Sequence, residues 1–285
     1  MEVASRTIEI DSRSDKVKLT FIGDIHKGGA DCDVKLLRRC VNHIKDDPAH
    51  YWFGMGDYGE YINYRDPRFR AEDLPGELPA KKINQMMEIQ TRSVISEFRP
   101  IGNKCLGLIK GNHEDTLEGK SGVFVYDQIC EAVRDGGAWD LRLEYCAIVK
   151  LRIKRAGHTS MLRVFLHHGA GGGGKTGASV NRTEDLVVAF PGNDIYVRGH
   201  DHKRYATVRV GIGAKDRKDE QCEIHTAFGD TGSFKKTYTQ GTTNYAEKKL
   251  MNPTSMGVIS FILDLNSMTD QFDITAHCST SGLPA

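Results

Sequence analysis

No apolar run in this sequence is long enough to cross a bilayer, and the opening stretch MEVASRTIEIDSRSDK contains no apolar signal core. Both absences count against a membrane-embedded or secreted chain and lead to the expectation of a cytoplasmic protein without a membrane partner. The Asn181-Arg182-Thr183 glycosylation acceptor is then idle. Cysteine pairs spaced C-x-x-C are also missing: Cys32, Cys40, Cys105, Cys130, Cys146, Cys222 and Cys278 are odd in number and scattered. Neither a disulfide framework nor a zinc knuckle fits them, and they are expected to be reduced thiols, mostly in the core. Excess charge of either sign is lacking too, with 39 basic against 38 acidic side chains and a formal net charge of +1. Such a surface has no long-range field to gather polyanions, so affinity for phosphate must come from a local site. There is no internal repeat and no low-complexity tract, which excludes solenoids and disordered linkers.

What is present is a chain of 285 residues with 27% charged and 39% hydrophobic side chains, enough for one large globular domain over 1–285. VKLTFIGDIH (17–26) reads as a buried strand, followed by a helix over 33–47 with Val34, Leu37, Val41 and Ile44 on one face, Asp33 at its start and Pro48 beyond its end. YWFGMGDY (51–58) is a second strand, a helix is expected around 80–98, and KCLGLIKGNHE (104–114) gives a third strand ending in a polar turn. Alternation of strand and helix marks an α/β fold. The second half is strand-rich: 144–154 and 160–168 read as a hairpin, followed by strands around 193–202, 204–212, 222–228, 256–265 and 271–278. Residues 58–79 have no clean period and carry Pro67, Pro75 and Pro79, so a long ordered loop is expected there; 279–285 read as a frayed tail.

Polar side chains just past the carboxyl ends of strands converge on one crevice in such folds. Here they are Asp24 and His26, Asp57, Asn112 and His113, His167 and His168, and His200 and His202. Carboxylate, imidazole and amide oxygen are the donor types that hold divalent transition metals. Each element alone is weak, because a Gly-Asp pair is usually a turn and a single histidine usually a structural one. Five of them, each at a strand end, outweigh that bland reading.

The series Asp24-Ile-His26, Gly56-Asp57, Gly111-Asn112-His113-Glu114, His168-Gly169 and Gly199-His200-Asp201-His202 resembles the calcineurin-like metallophosphoesterases, over residues 24–202. The resemblance implies a four-layer α/β/β/α sandwich with two mixed β-sheets and two divalent metal ions (manganese, iron, zinc or similar). It assigns Asp24, His26 and His202 to one ion and Asn112, His168 and His200 to the other, with Asp57 bridging. It also implies hydrolysis of a phosphodiester or phosphomonoester through a metal-bridging hydroxide, with His113 as general acid. Only one of His167 and His168 can face the site, since neighbours on a strand point to opposite sides, and His168 is preferred because it adjoins the glycine. The protein serine/threonine phosphatase branch is the lesser alternative: it has an arginine soon after its GDY, where this chain reads GDYGEYIN, and it lacks G-H-x-H.

One motif competes. Gly169 to Thr176, GAGGGGKT, matches the nucleotide-binding P-loop pattern literally and follows a strand. A nucleotide-binding switch would also need a second strand ending in a magnesium-binding aspartate. The strand downstream ends in G-H-x-H instead, so Lys175 is expected to meet a substrate phosphate rather than to drive a nucleotide engine. Tyr58, Tyr61, Tyr64 and Phe69 mixed with Arg65, Arg68 and Arg70 beside Asp57, and Lys203 next to His202, suit bases and phosphates. The expected substrate is therefore a nucleotide or nucleic acid.

Overall fold

The computed structural model describes residues 1–11, 16–62, 69, 85–137, 139–155, 158–171, 175–214, 219–239, 245–248, 250–253, 255–265 and 272–279. The first half of the chain runs β1 (Glu2–Ile10), β2 (Val17–Ile22), α1 (Val34–Asp46), β3 (His50–Gly54), α2 (Met86–Phe98), β4 (Cys105–Leu108), α3 (Asn112–Ser121) and α4 (Val125–Arg134). The second runs β5 (Cys146–Arg155), β6 (His158–His167), α5 (Thr176–Ala189), β7 (Ile195–Arg198), β8 (Arg204–Ala214), β9 (Gln221–Thr231), α6 (Tyr245–Lys248), β10 (Val258–Leu265) and β11 (Phe272–Ser279). Two mixed sheets result, one of six strands ordered β1-β5-β6-β7-β9-β8 and one of five ordered β11-β10-β2-β3-β4.

Alternation of side chains builds the layers. Leu19, Phe21 and Phe53 from one sheet meet Val149, Leu151, Leu162 and Val164 from the other in the inter-sheet core. On the outer face of the five-stranded sheet, Trp52 and Leu108 pack with Leu37 and Val41 of α1, Val94 of α2 and Ile129 of α4. Phe165, Tyr196 and Phe228 on the far face of the other sheet receive Val180, Leu186 and Val187 of α5. The chain is thus an α/β sandwich with helices outside both sheets. Among the described residues no helix is long and apolar enough to cross a membrane.

Four features depart from the sequence expectations. No element was read over 2–10, yet β1 forms there, with Arg6 buried because its guanidinium donates to the main-chain oxygens of Leu106, Ser5 and Asp140. The polar turn expected after β4 is the first turn of α3, which opens at Asn112, and α4 follows it. α5 is assembled from Gly177, Ser179, Asn181 and Thr183, poor helix formers that tertiary packing overrides. The cysteines are free but not mostly core: Cys40, Cys105 and Cys130 are buried, whereas Cys32, Cys146 and Cys222 are half-buried and Cys278 is exposed. Most of the loop expected at 58–79 lies outside the described residues. So does the tail from 280 onward, Ser279 being the last residue of β11.

Far from the strand-end loops, His50 Nε2 lies 2.7 Å from Thr20 Oγ1, which is 2.8 Å from Ser260 Oγ. Burial pushes this imidazole down to about 4. In the unfolded chain the same group takes up a proton near pH 6.5, so unfolding binds the extra proton between pH 6.5 and 4. Stability is therefore present above that window and lost as pH falls through it, by up to about 3 kcal/mol. Urea midpoints of His50→Gln should fall less steeply from pH 6.5 to 4 than those of wild type. Equal slopes would place the acid sensitivity elsewhere.

Candidate metal centre

The loops after β2, β3, β4, β6 and β7 meet at the carboxyl ends of their strands. They are laced together by main-chain bonds: Asp24 N to Gly56 O, Ile25 N and His26 N to Asp57 O, and Gly199 N to His168 O, at 2.9–3.0 Å. Glycine is required where they cross. A Cβ on Gly56 (φ +90°) would sit 2.6 Å from His168 Nδ1, and one on Gly111 2.1 Å from Asp57 N. Asp24, His26, Asp57, His200 and His202 themselves have φ between 49° and 75°. Side chains disfavour that region by roughly 1–3 kcal/mol each, and strain of this kind collects at functional sites.

Two groups of donors result. Asp24 Oδ1 is 3.3 Å from His202 Nε2, which is 3.1 Å from His26 Nε2. Beside them, Asn112 Oδ1 is 3.1 Å from His168 Nε2 and 2.8 Å from His200 Nδ1. Asp57 Oδ2 faces both groups, 3.4 Å from His168 Nε2 and 3.9 Å from His26 Nε2. Its other oxygen accepts the main-chain N–H of His113 at 2.9 Å. Asp24, His26 and His202, likewise Asp57, His168 and His200, and on the far side of His26 the group His26, Glu60 and His113, bring donor atoms within 4.8 Å of one another.

These residues could hold metal ions. Asp24 Oδ1 is buried without a hydrogen-bond donor, while its Oδ2 accepts from His200 N at 2.9 Å. Burial alone would raise the Asp57 carboxyl, but the facing His168 and His113 rings hold it well below the usual carboxylate range. Burial would lower His168, yet the Asp57 and Asp24 carboxylates pull it up to about 10. The pocket thus gathers negative charge and concentrates positive charge to match it. His26, by contrast, is pushed down by burial to about 4 and is neutral at physiological pH, as a ligand must be. His168 Nδ1 lies 2.7 Å from Met55 O, and since a carbonyl only accepts, Nδ1 carries a proton and Nε2 is the nitrogen that a cation would take in place of the second proton.

All seven expected ligands and His113 are thereby brought together. His113 packs its ring edge-on against His26, with centroids 4.7 Å apart. His167 is the last residue of β6 and accepts from Gly169 N through Nδ1, whereas His168 is fully buried among the donors. His168→Ala is expected to lose one bound ion and His167→Ala to keep both, read by metal analysis after dialysis. The reverse pattern would move the assignment by one residue.

Other expected residues stand apart. Lys175 is exposed at the N-cap of α5 and Lys203 is half-buried after His202, and among the described residues no hydrogen bond or ion pair joins either side chain to the donor groups; Arg65 lies outside the described residues. A helix does follow GAGGGGK, but Asp201, at the end of the neighbouring β7, has its carboxylate taken by Arg182 and Arg198. It offers no free oxygen for the magnesium of a P-loop.

Several contributors had no role assigned in the sequence reading. Glu114 accepts from the main-chain N–H groups of Asp57, Tyr58 and Gly111 at 2.8–3.0 Å, which fixes the Gly-Asp loop. Burial and the Asp57 carboxylate push its carboxyl up to about 7. Ser233 Oγ donates to Asp24 O at 2.8 Å, Thr231 Oγ1 lies 3.4 Å from Asp24 Oδ2, and Glu60 reaches His26. A signal existed for the 231–233 segment, because β9 runs out in Gly229-Asp230 much as β3 runs out ahead of Gly56-Asp57.

No family model and no curated protein sequence matches the chain. Among solved structures it is similar to a conserved uncharacterized protein of Streptococcus pneumoniae TIGR4 described as a predicted phosphoesterase. That pair shares 10% identity over 92% of this chain and 89% of the other, with a TM-score of 0.33. It is also similar to NAD nucleotidase from Haemophilus influenzae, at 7% identity over 88% of this chain and 47% of that one, TM-score 0.37. The chain spans about half the length of that nucleotidase. Both likenesses are too slight to carry an argument.

Proposed function

We propose that this chain is a dinuclear metal-dependent phosphoesterase. The observation that carries the reading is the single Asp57 oxygen facing two separate donor groups, beside the buried Asp24 Oδ1, which accepts no hydrogen bond. Asp24, His26 and His202 would hold one divalent ion and Asn112, His168 and His200 the other, with Asp57 shared. When bound, such a pair supplies Lewis acidity at the phosphoryl oxygens and makes water acidic enough to attack at neutral pH.

The chain's own residues do the rest. Glu114 and the glycines at 56 and 111 fix Asp57 where one oxygen serves both halves. His113 donates Nδ1–H to Glu60 O at 2.5 Å, which aims the opposite nitrogen, Nε2, away from that carbonyl. Protonated at Nε2, the ring gives its proton to the departing oxygen of the ester, so that an alcohol and not an alkoxide leaves. Tyr58 and Tyr61, read from the sequence as part of a base-binding surface, are instead buried, with their hydroxyls on Ile109 O and Thr91 Oγ1. What supports a nucleotide or nucleic acid as substrate is the sequence of 64–70, with Lys203 beside His202.

Purified protein should carry two equivalents of manganese, iron or zinc per chain. In Mn²⁺ it should hydrolyse members of a panel of nitrophenyl mono- and diesters, nucleotides and oligonucleotides. A chain that instead binds one magnesium with ATP, and hydrolyses none of the panel, overturns the proposal in favour of a nucleotide switch.

A further inference from the structure

Glu60 belongs to none of the strand-end motifs. Its side chain is buried, with Oε2 3.0 Å from His26 Nδ1. Neither atom forms a hydrogen bond among the described residues, so the two meet as a close charge contact. The other oxygen, Oε1, accepts from Lys235 Nζ at 2.8 Å. Lys235 comes from the segment after β9, whose backbone is pinned to the loop that carries Asp24. Phe234 N donates to Asp24 O at 3.0 Å, Lys236 N to Asp31 O at 2.9 Å, and Lys235 N to Ser233 Oγ at 3.0 Å. Lys235 Nζ is also 3.9 Å from Asp31 Oδ2.

We infer that Glu60, clamped by Lys235, is a positioning residue for His26 in the half of the centre that contains Asp24 and His202. The inference rests on the dinuclear reading above. An imidazole binds a cation through the lone pair of one nitrogen, and a carboxylate against the other nitrogen keeps the proton there. With Glu60 at Nδ1, the lone pair belongs to Nε2, the atom 3.1 Å from His202 Nε2 and 3.9 Å from Asp57 Oδ2. The same carboxylate makes the ring a stronger donor. Lys235 acts one step further out. By taking Oε1 it fixes the plane of the carboxylate and balances its charge, so Oε2 keeps facing the ring. The other half is oriented differently, through His168 Nδ1 and Met55 O. Loss of Glu60 or Lys235 should therefore weaken one ion and spare the other.

The test is calorimetric titration of the metal-stripped chain with Mn²⁺, with the visible spectrum of the Co²⁺-loaded chain as a second readout. Wild type should bind two ions. Glu60→Met should weaken one of them by about 10–100-fold and leave the second unchanged. Lys235→Met should weaken the same ion, and Lys235→Arg should restore it; loss of bulk stability alone would not produce that one-ion pattern with rescue. Circular dichroism checks that each stripped variant is folded, and if Glu60→Met is not, the half-buried Lys235 pair decides. Two ions of wild-type affinity, with unchanged Co²⁺ spectra, in the Glu60 and Lys235 variants overturn the inference alone. Wild-type protein that never takes up a second ion overturns both it and the dinuclear reading.

Discussion

Asp57→Asn will lose phosphoester hydrolysis by on the order of 10³-fold or more and will no longer retain two metal ions. The expectation follows from where the two oxygens point. Oδ1 accepts the His113 main-chain N–H at 2.9 Å, so the asparagine must keep its carbonyl oxygen there. Its NH₂ then replaces Oδ2, the atom facing His168 Nε2 and His26 Nε2. A donor without charge stands where a shared acceptor is needed, and both halves lose their common ligand at once. Folding should survive, because the substitution is isosteric and removes a buried charge. Nitrophenyl phosphate turnover and metal analysis of the dialysed variant read the two effects separately. Near-normal turnover with two ions retained would remove Asp57 as a bridge and the dinuclear mechanism with it.

The convergence of the candidate donors was legible in the sequence because each follows an apolar run. Asp24 after LTFIG, Asp57 after YWFGMG and His200 after IYVRG are polar residues where a buried strand stops, and a parallel sheet brings such ends together. His168 was preferred to His167 for the glycine beside it, and the parity of the strand agrees. Leu162, Val164 and Leu166 face the inter-sheet core while Phe165 faces α5, so the even-numbered histidine falls on the inner side. Glu60 and Lys235 were not legible, since 175 positions separate them and neither sits in a periodic stretch. Glu114 did carry a sign, as the third residue of a helix whose carboxylate turns back to the N-cap amide, but a glycine at the N-cap hid the usual Ser or Thr. β1 and α5 were missed because their stability is tertiary. Arg6 is buried only because three carbonyls receive it, and α5 is helical only where Val180, Leu186 and Val187 find the sheet.

His113→Ala separates metal binding from proton transfer. His113 is not placed in either donor group; its Nδ1 is committed to Glu60 O, and its main-chain N–H, which holds Asp57, survives substitution by alanine. The variant should therefore retain both ions while kcat falls by about 10²–10⁴-fold, the range of a lost general acid. The loss should depend on the ester. A nitrophenolate leaves readily without a proton and should be slowed least, whereas an alkyl or ribose oxygen needs the proton and should be slowed most. Comparing kcat for a nitrophenyl ester and an alkyl ester of the same phosphate in both proteins gives the ratio directly. Equal losses on the two esters would mean that His113 binds or orients the phosphate and does not donate a proton. Loss of one ion would instead place His113 among the ligands, which its closeness to His26 and Glu60 makes a sharp alternative for the same measurement to decide.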